Sequence, residues 1–504
     1  MEKLKKISLE LSSLEEQYSR LTWVQYTTGF DMGVEQTYKQ IVDKYCNTSD
    51  FEYVKKTYLR SDLDPKSKRE AEILYKGYEP YHLSKEVNDL SIQISNLTTK
   101  LSSVLNTFRS KIDGVEVSSV EIAQILRNEE DREKRKKAYF SKCQINKPLV
   151  DAGFLELIKL RKQYAKLRGF NDFVEMKLSD DELNAQIFST WKDELHTMLP
   201  KIKSTRERVA KKYLNYDKIM PWDEAYLVSK MAPSLSKRVD MSDYFNTLRN
   251  FFLNFGIDLS TYNITYDLFP RANKSEWGYN FPIATRKDSR ILANVKNQYN
   301  EYGVLLHETG HAVHSFIQDP NEDILNRGIS GIITEGIANL FGSFLSDEVF
   351  IKQFFDNPKE IKEELKEFKE FTKINALGAI TNIMFDQNIY RNELNSLQDI
   401  NNLAISTLKE YMDDDFEGTE YPWGVRIHHT THPIYLHNYF MGDVTCEMLR
   451  KTFIKKYNCE NIMEKPVEFA QFLIKSVIEP SGLYKYPELF KRISGEDFSL
   501  KYML

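Results

Sequence analysis

The chain has 504 residues, 69 of them basic and 74 acidic, for a net charge of -5, with 41% hydrophobic and 28% charged residues. These values belong to an ordinary globular protein and exclude collagen-like, disordered and membrane-embedded classes, while the balanced charge provides no long-range positive field to collect nucleic acid. Cys46, Cys143, Cys446 and Cys459 lack CxxC spacing, so no thiolate metal knuckle is available.

The scattered cysteines suit a reducing compartment. The N-terminal Met-Glu-Lys-Leu-Lys-Lys runs into an amphipathic pattern, not an apolar signal core, so the expected location is cytoplasmic. Leu4, Ile7, Leu11, Leu14, Tyr18 and Leu21 alternate spacings of three and four, which predicts a first helix. A second stripe, Leu83, Val87, Leu90, Ile94, Leu97, Leu101, Val104 and Phe108, ends at the turn Ile112-Asp113-Gly114 and predicts helix-on-helix packing. Helical pattern continues from Ser119 through Tyr213 with little Pro or Gly. The best strand candidate is Arg290 to Val295, between polar loops. These elements predict a mostly α architecture with one small sheet: a helical N-terminal lobe over residues 1–200 joined in one body to a lobe over 201–504. The charge-poor stretch from Gly328 to Ser346 holds Glu335, Asn339 and several glycines, and predicts a buried helix, not a membrane span.

Val304 to Phe316 contains His307-Glu308-Thr309-Gly310-His311. Residues four apart on a helix lie about 40° apart around the axis and about 6 Å along it, so both imidazoles can reach one zinc ion. Glu308 falls on the adjacent face, where a general base is needed that is not itself a ligand. The flanking Val304, Leu305, Leu306, Ala312, Val313 and Phe316 predict a buried helix whose polar groups require partners. Positions 314 and 317 are His and Ile, where the extended metzincin pattern wants Gly and His, so the third ligand comes from elsewhere. Glu335, 24 residues past His311, stands alone in a charge-free run. An unpaired buried carboxylate costs several kcal/mol, a penalty that a bound dication removes. Asn339, one turn later, is placed to touch a ligand histidine. His314 shares the face of His307, but seven residues span about 10 Å of helix, so it is expected to pack or to support the site, not to ligate.

These residues resemble the thimet-oligopeptidase and oligoendopeptidase F family of zinc peptidases. The shared motif His-Glu-x-Gly-His-x-x-His is matched at His307, Glu308, Gly310, His311 and His314, and the following ligand glutamate at Glu335. Asp113-Gly114 and Arg132 to Tyr139 are similar to that family's N-terminal helical region. The segment Leu157 to Leu178, with Leu160-Arg161, Ala165, Gly169-Phe170 and Glu175-Met176, is similar to the angiotensin-converting-enzyme family. The resemblance implies a helical ellipsoid with a deep central channel, a zincin-like sheet beside the motif helix, one zinc per chain and short peptides as substrates. It also implies that Ser289 to Val295 is the edge strand pairing with substrate backbone, with Arg290, Leu292, Ala293 and Asn294 at the substrate.

A second cluster, Arg426 to Tyr439, holds four of the nine histidines. Counting from His428, Tyr435 and Tyr439 match the His and Tyr pattern with which oligoendopeptidase F relatives stabilise the tetrahedral intermediate. Arg426 stands where converting-enzyme relatives carry a lysine that holds a substrate carboxylate, and the adjacent His429 is a further candidate substrate contact. Adjacent His428 and His429 leave the register open. The expected activity is cleavage of internal peptide bonds, with Glu308 as base and then acid, by a monomer or homodimer with no nucleic-acid or membrane partner. One alternative is a carboxypeptidase or dipeptidyl-carboxypeptidase in which Arg426 anchors the substrate C-terminus. The other is a helical interaction protein with a structural zinc.

Overall fold

A computed structural model describes residues 1–275 and 278–504. Helices make up 69% of it, with two small sheets, so the mostly α architecture is observed. The helices that matter for function are α1 (Glu2–Thr28), α2 (Lys85–Thr107), α3 (Phe154–Leu167), α4 (Trp191–Leu214), α5 (Glu301–Ile317), α6 (Gly331–Gly342), α7 (Ala379–Arg391) and α8 (Leu436–Tyr457). The strands are β1 (Ser110–Ile112), β2 (Val115–Val117), β3 (Ile264–Asp267), β4 (Tyr279–Ala284) and β5 (Asp288–Leu292).

Contacts divide the chain into two compact units, each built from three segments. The first comprises Met1–Leu83, Ser234–Lys362 and Gly442–Phe498; the second comprises Ser84–Pro233, Glu363–Met441 and Ser499–Leu504. Residue 200 lies inside α4, so the boundary drawn there from the sequence is not one of these junctions. A helical lobe that ends in mid-helix would cut hydrogen bonds and an apolar face, and the chain instead crosses between units several times.

In the first unit, the α1 stripe behaves as its spacing predicts. Leu4, Ile7 and Leu11 are buried against Phe51, Val54, Leu74, Tyr78 and Ile324. Further along α1, Trp23 and Tyr26 set their rings edge-on to Phe281 of β4. The sheet here has the order β3-β5-β4, with β3 parallel and β4 antiparallel to β5. Helix α5 packs on β4 and β5 and, most extensively, on α6. No single helix among the described residues is long and apolar enough to cross a membrane.

In the second unit, α2 packs along α3, with Val87, Leu90 and Leu101 buried. Val209, Ala210, Ile219, Leu227, Met231 and Phe371 form one apolar cluster. Ile122, Leu126, Ala138, Tyr139 and Trp222 form another.

Candidate metal centre and active site

Helix α5 starts where Glu301 in its first turn accepts the backbone N–H groups of Lys296 and Gln298 at 2.7 and 2.8 Å; an acid there also complements the helix dipole. Leu305, Leu306, Ala312, Val313 and Phe316 are buried on one side. Val304 is instead exposed, and it shares the more open face with His307, Glu308 and His311. The sequence placed Val304 in the apolar surround; the helix turns it with the motif because it lies three and four residues before the first two motif positions.

Helix α6 begins at Ser330, whose hydroxyl accepts the Ile332 N–H. It lies close to α5 because Gly310 has no side chain: a Cβ there would stand 3.0 Å from Phe341 Cδ2 and 3.3 Å from Ala338 Cα. That approach carries Glu335 to the two histidines. His307 Nε2 is 3.8 Å from one Glu335 carboxylate oxygen, and His311 Nε2 is 3.7 Å from the other. One donor atom from each of the three residues lies within 4.8 Å of the others. Donors about 2 Å from one tetrahedral ion stand about 3.3 Å apart, so a small adjustment closes this set on a zinc ion. Burial lowers the pKa of both imidazoles, that of His311 to about 3, and so keeps them as the neutral ligands a metal requires. Burial raises Glu335, as befits a carboxylate short of positive partners. The donor set therefore fits zinc in number, type and spacing.

Glu308 is half-buried, and burial together with the Glu335 charge pushes it up to about 7, against a hydrogen bond from the Asn280 backbone of β4. A carboxylate tuned to that range can both accept and return a proton near neutral pH. The side chain of Asn339 hydrogen-bonds to His307 and its Nδ2 donates to Asp443 Oδ1 at 2.9 Å. The sequence reading missed Asp443, which lies 104 residues from Asn339 on the part of α8 in the first unit, with no local pattern to mark it. His314 is buried, its Nε2 finds no hydrogen-bond partner among the described residues, and burial drops it to about 4.

The substrate-pairing role expected for Ser289 to Val295 does not fit the sheet. Ser289 to Leu292 pair with β3, and Arg290 to Leu292 with β4, so β5 is central and not an edge. The Arg290 guanidinium is bound to Asp288, and Leu292 and Ala293 are buried. The Ala293 N–H bonds to Asp267 and the Asn294 amide to the Ser275 carbonyl. The outer strands of this sheet are β3 and β4.

In the second unit, His428, Tyr435 and Tyr439 gather into one ring cluster. His428 stacks on Tyr435 at 6.0 Å and meets Tyr439 edge-on at 5.8 Å, and the two phenol rings are 5.3 Å apart. Both tyrosines are nearly half exposed. Tyr435 immediately precedes α8, which includes Tyr439. Arg426 and His432 are exposed, and His428 is half-buried. His429 corrects the expectation of a substrate contact: it is fully buried, edge-on to Phe385, with neither ring nitrogen hydrogen-bonded among the described residues. Burial holds it well below the usual histidine range. It is a core residue.

Residues 125–265 match the model of peptidase family M3, a stretch that ends before the metal motif and so adds to it independently. No curated protein matches the sequence. An M32 carboxypeptidase from Deinococcus radiodurans R1 superposes with a TM-score of 0.69 at 14% identity, covering 100% of this chain and 97% of that one. PZ peptidase A, solved with an inhibitor, gives 0.70 at 17% identity, covering 99% and 89%. A Bacillus anthracis protein described as an oligoendopeptidase F gives 0.63 at 16% identity, covering 95% and 84%. At these identities the likeness is one of fold. Residues 125–265 are thus similar to peptidase family M3, and outside that stretch His307, His311 and Glu335 converge, with Glu308 beside them, on two packed helices.

Proposed function

We propose that this protein is a zinc-dependent oligopeptidase that hydrolyses internal bonds of short, unstructured peptides. The observation that carries the reading is the convergence of His307, His311 and Glu335 beside a Glu308 carboxylate that is not one of the converging donors. Zinc held by these three side chains would polarise the scissile carbonyl and acidify water. Glu308 takes a proton from the attacking water and returns it to the departing amide nitrogen. The Asn280 backbone N–H steadies that carboxylate, and β4, as an outer strand, offers the edge to which an extended peptide can add. The resemblance assigns Tyr435 and Tyr439 to the carbonyl oxygen, where phenol donors act most strongly in the transition state. It also implies a channel that admits one extended chain, hence short peptides in preference to folded proteins.

A second reading, a carboxypeptidase, draws on Arg426, an exposed guanidinium that makes no ion pair among the described residues and could hold a terminal carboxylate. One peptide, supplied with a free and with an amidated C-terminus, separates the two. Cleavage at the same internal bonds in both forms, abolished by a chelator and restored by zinc, is the expected result. Cleavage of the free form alone, with products released from its C-terminus, would establish the carboxypeptidase.

A further inference from the structure

Between His429 and the start of α8 at Leu436 the backbone is irregular, and Ile434 sits at φ +55°. A β-branched side chain seldom adopts the left-handed region, and it persists there only where its surroundings over-determine it. Here they do so within the second unit. Asp386 of α7, buried to 1% exposure, accepts the Ile434 N–H at 2.6 Å. Arg161 of α3, also buried, donates through Nη1 to the Thr430 carbonyl at 2.6 Å and the Tyr390 hydroxyl at 2.8 Å, and through Nη2 to the Thr431 carbonyl at 3.4 Å. Its charge acts in turn on Asp386, whose second oxygen has no hydrogen-bond partner among the described residues. On the other side of Tyr435, Asp181 accepts from His437 at 2.8 Å and from the Asn438 amide at 3.1 Å.

We propose that Arg161 and Asp386 are positioning residues for Tyr435 and Tyr439: together they hold residues 430–434 in the strained turn that aims the phenols. A buried arginine and a buried aspartate that both bond main-chain groups of one short segment are costly to keep if the segment only connects two helices. The exposed rings that the turn presents provide the reason. The catalytic part of this inference rests on the donor role proposed above for the two tyrosines; the structural part does not.

Asp386→Leu removes the acceptor at similar volume, whereas Asp386→Asn keeps an oxygen for the Ile434 N–H. The leucine variant should lose about tenfold or more in kcat with KM within about twofold, the signature of an interaction made mainly in the transition state. Bound zinc, measured by elemental analysis, should stay stoichiometric, and amide exchange across residues 430–439 should accelerate there and not across the metal motif. The asparagine variant should recover most of both. Should Asp386→Leu fail to fold, Arg161→Lys, which keeps the charge but cannot span both carbonyls and Tyr390, carries the same expectations. Unchanged exchange at 430–439 in a folded Leu or Lys variant would overturn the clamp. Faster exchange with normal kcat would overturn its positioning role, provided Tyr435→Phe or Tyr439→Phe lowers kcat. If neither phenol matters, the donor reading is what fails, while the exchange data still decide the clamp.

Discussion

At the metal motif, two regular helices do the placing: α5 sets His307, Glu308 and His311 by helical spacing alone, and α6 brings Glu335 across a contact that Gly310 keeps close. Around His428 and Tyr435, ahead of α8, no such regularity operates: the segment takes its shape from Arg161 and Asp386, and Asp181 grips the first turn of α8, all contributed from far away in the sequence. A helix fixes side-chain direction through its own hydrogen bonds, so a site built on it tolerates distant change. An irregular segment has no internal period, and its geometry is only as firm as the groups that grip it. The two regions should therefore answer differently to mutation, the first to loss of its own residues and the second also to loss of its supports.

The largest effects should come from the ligands. His307→Ala, His311→Ala or Glu335→Ala should leave less than stoichiometric zinc after dialysis, with peptide hydrolysis near background. A Glu335→Ala protein that retains full zinc would break the ligand assignment. Glu308→Gln is the next step down. It should keep its zinc, because Glu308 is not among the converging donors, and lose about 10²- to 10⁴-fold in kcat with the proton carrier gone. Loss of metal in that variant would show that the base and ligand roles have been confused.

On the other side of the comparison, at least one of Tyr435→Phe and Tyr439→Phe should lower kcat by about 10²- to 10³-fold with little change in KM, as for one oxyanion donor. Each keeps the ring packing of the cluster and removes only the hydroxyl. Near-normal kcat in both, with zinc retained, would reduce the cluster to a packing feature.

The same contrast explains what could be read in advance. The α1 and α2 stripes and the spacing of the metal motif are local patterns, and the helices formed where those patterns lie. Whether a strand is central or outer depends on pairing with residues elsewhere, and the resemblance put β5 at an edge when it lies between β3 and β4. A local sign of this existed: Ile291, Leu292 and Ala293 are consecutive apolar residues without alternation, the pattern of a strand covered on both faces. His428 and His429 are neighbours in an aperiodic stretch, so nothing local could tell that one is half-buried and the other entirely so. Asp443 and Asp386 belong to helices remote in sequence from the residues they hold, and only the fold shows what they touch.

The smallest predicted effect refines the helical half of the comparison, because Asp443 is a long-range support of that half. A carboxylate only accepts, so Asp443 draws the Nδ2 of Asn339 toward itself and leaves the amide oxygen for His307. With that oxygen facing it, the imidazole donates from one ring nitrogen and keeps the lone pair of Nε2, which faces Glu335, for a metal. Helix α8 can place Asp443 there because its neighbour is Gly442, where a Cβ would stand 3.1 Å from that of Glu335. Asn339→Ala removes the acceptor and should weaken zinc binding by about 10- to 100-fold in competition with a chromogenic chelator. Asp443→Asn is milder, since an amide at 443 can pair with Asn339 in either orientation and only part of the population presents nitrogen to His307. It should weaken zinc binding less than Asn339→Ala does, and combining the two should add little, because both act through the same hydrogen bond to His307. Full additivity in the double variant would mean that Asp443 supports the centre by another route, and that the helical site leans on its distant neighbours more than its regular geometry implies.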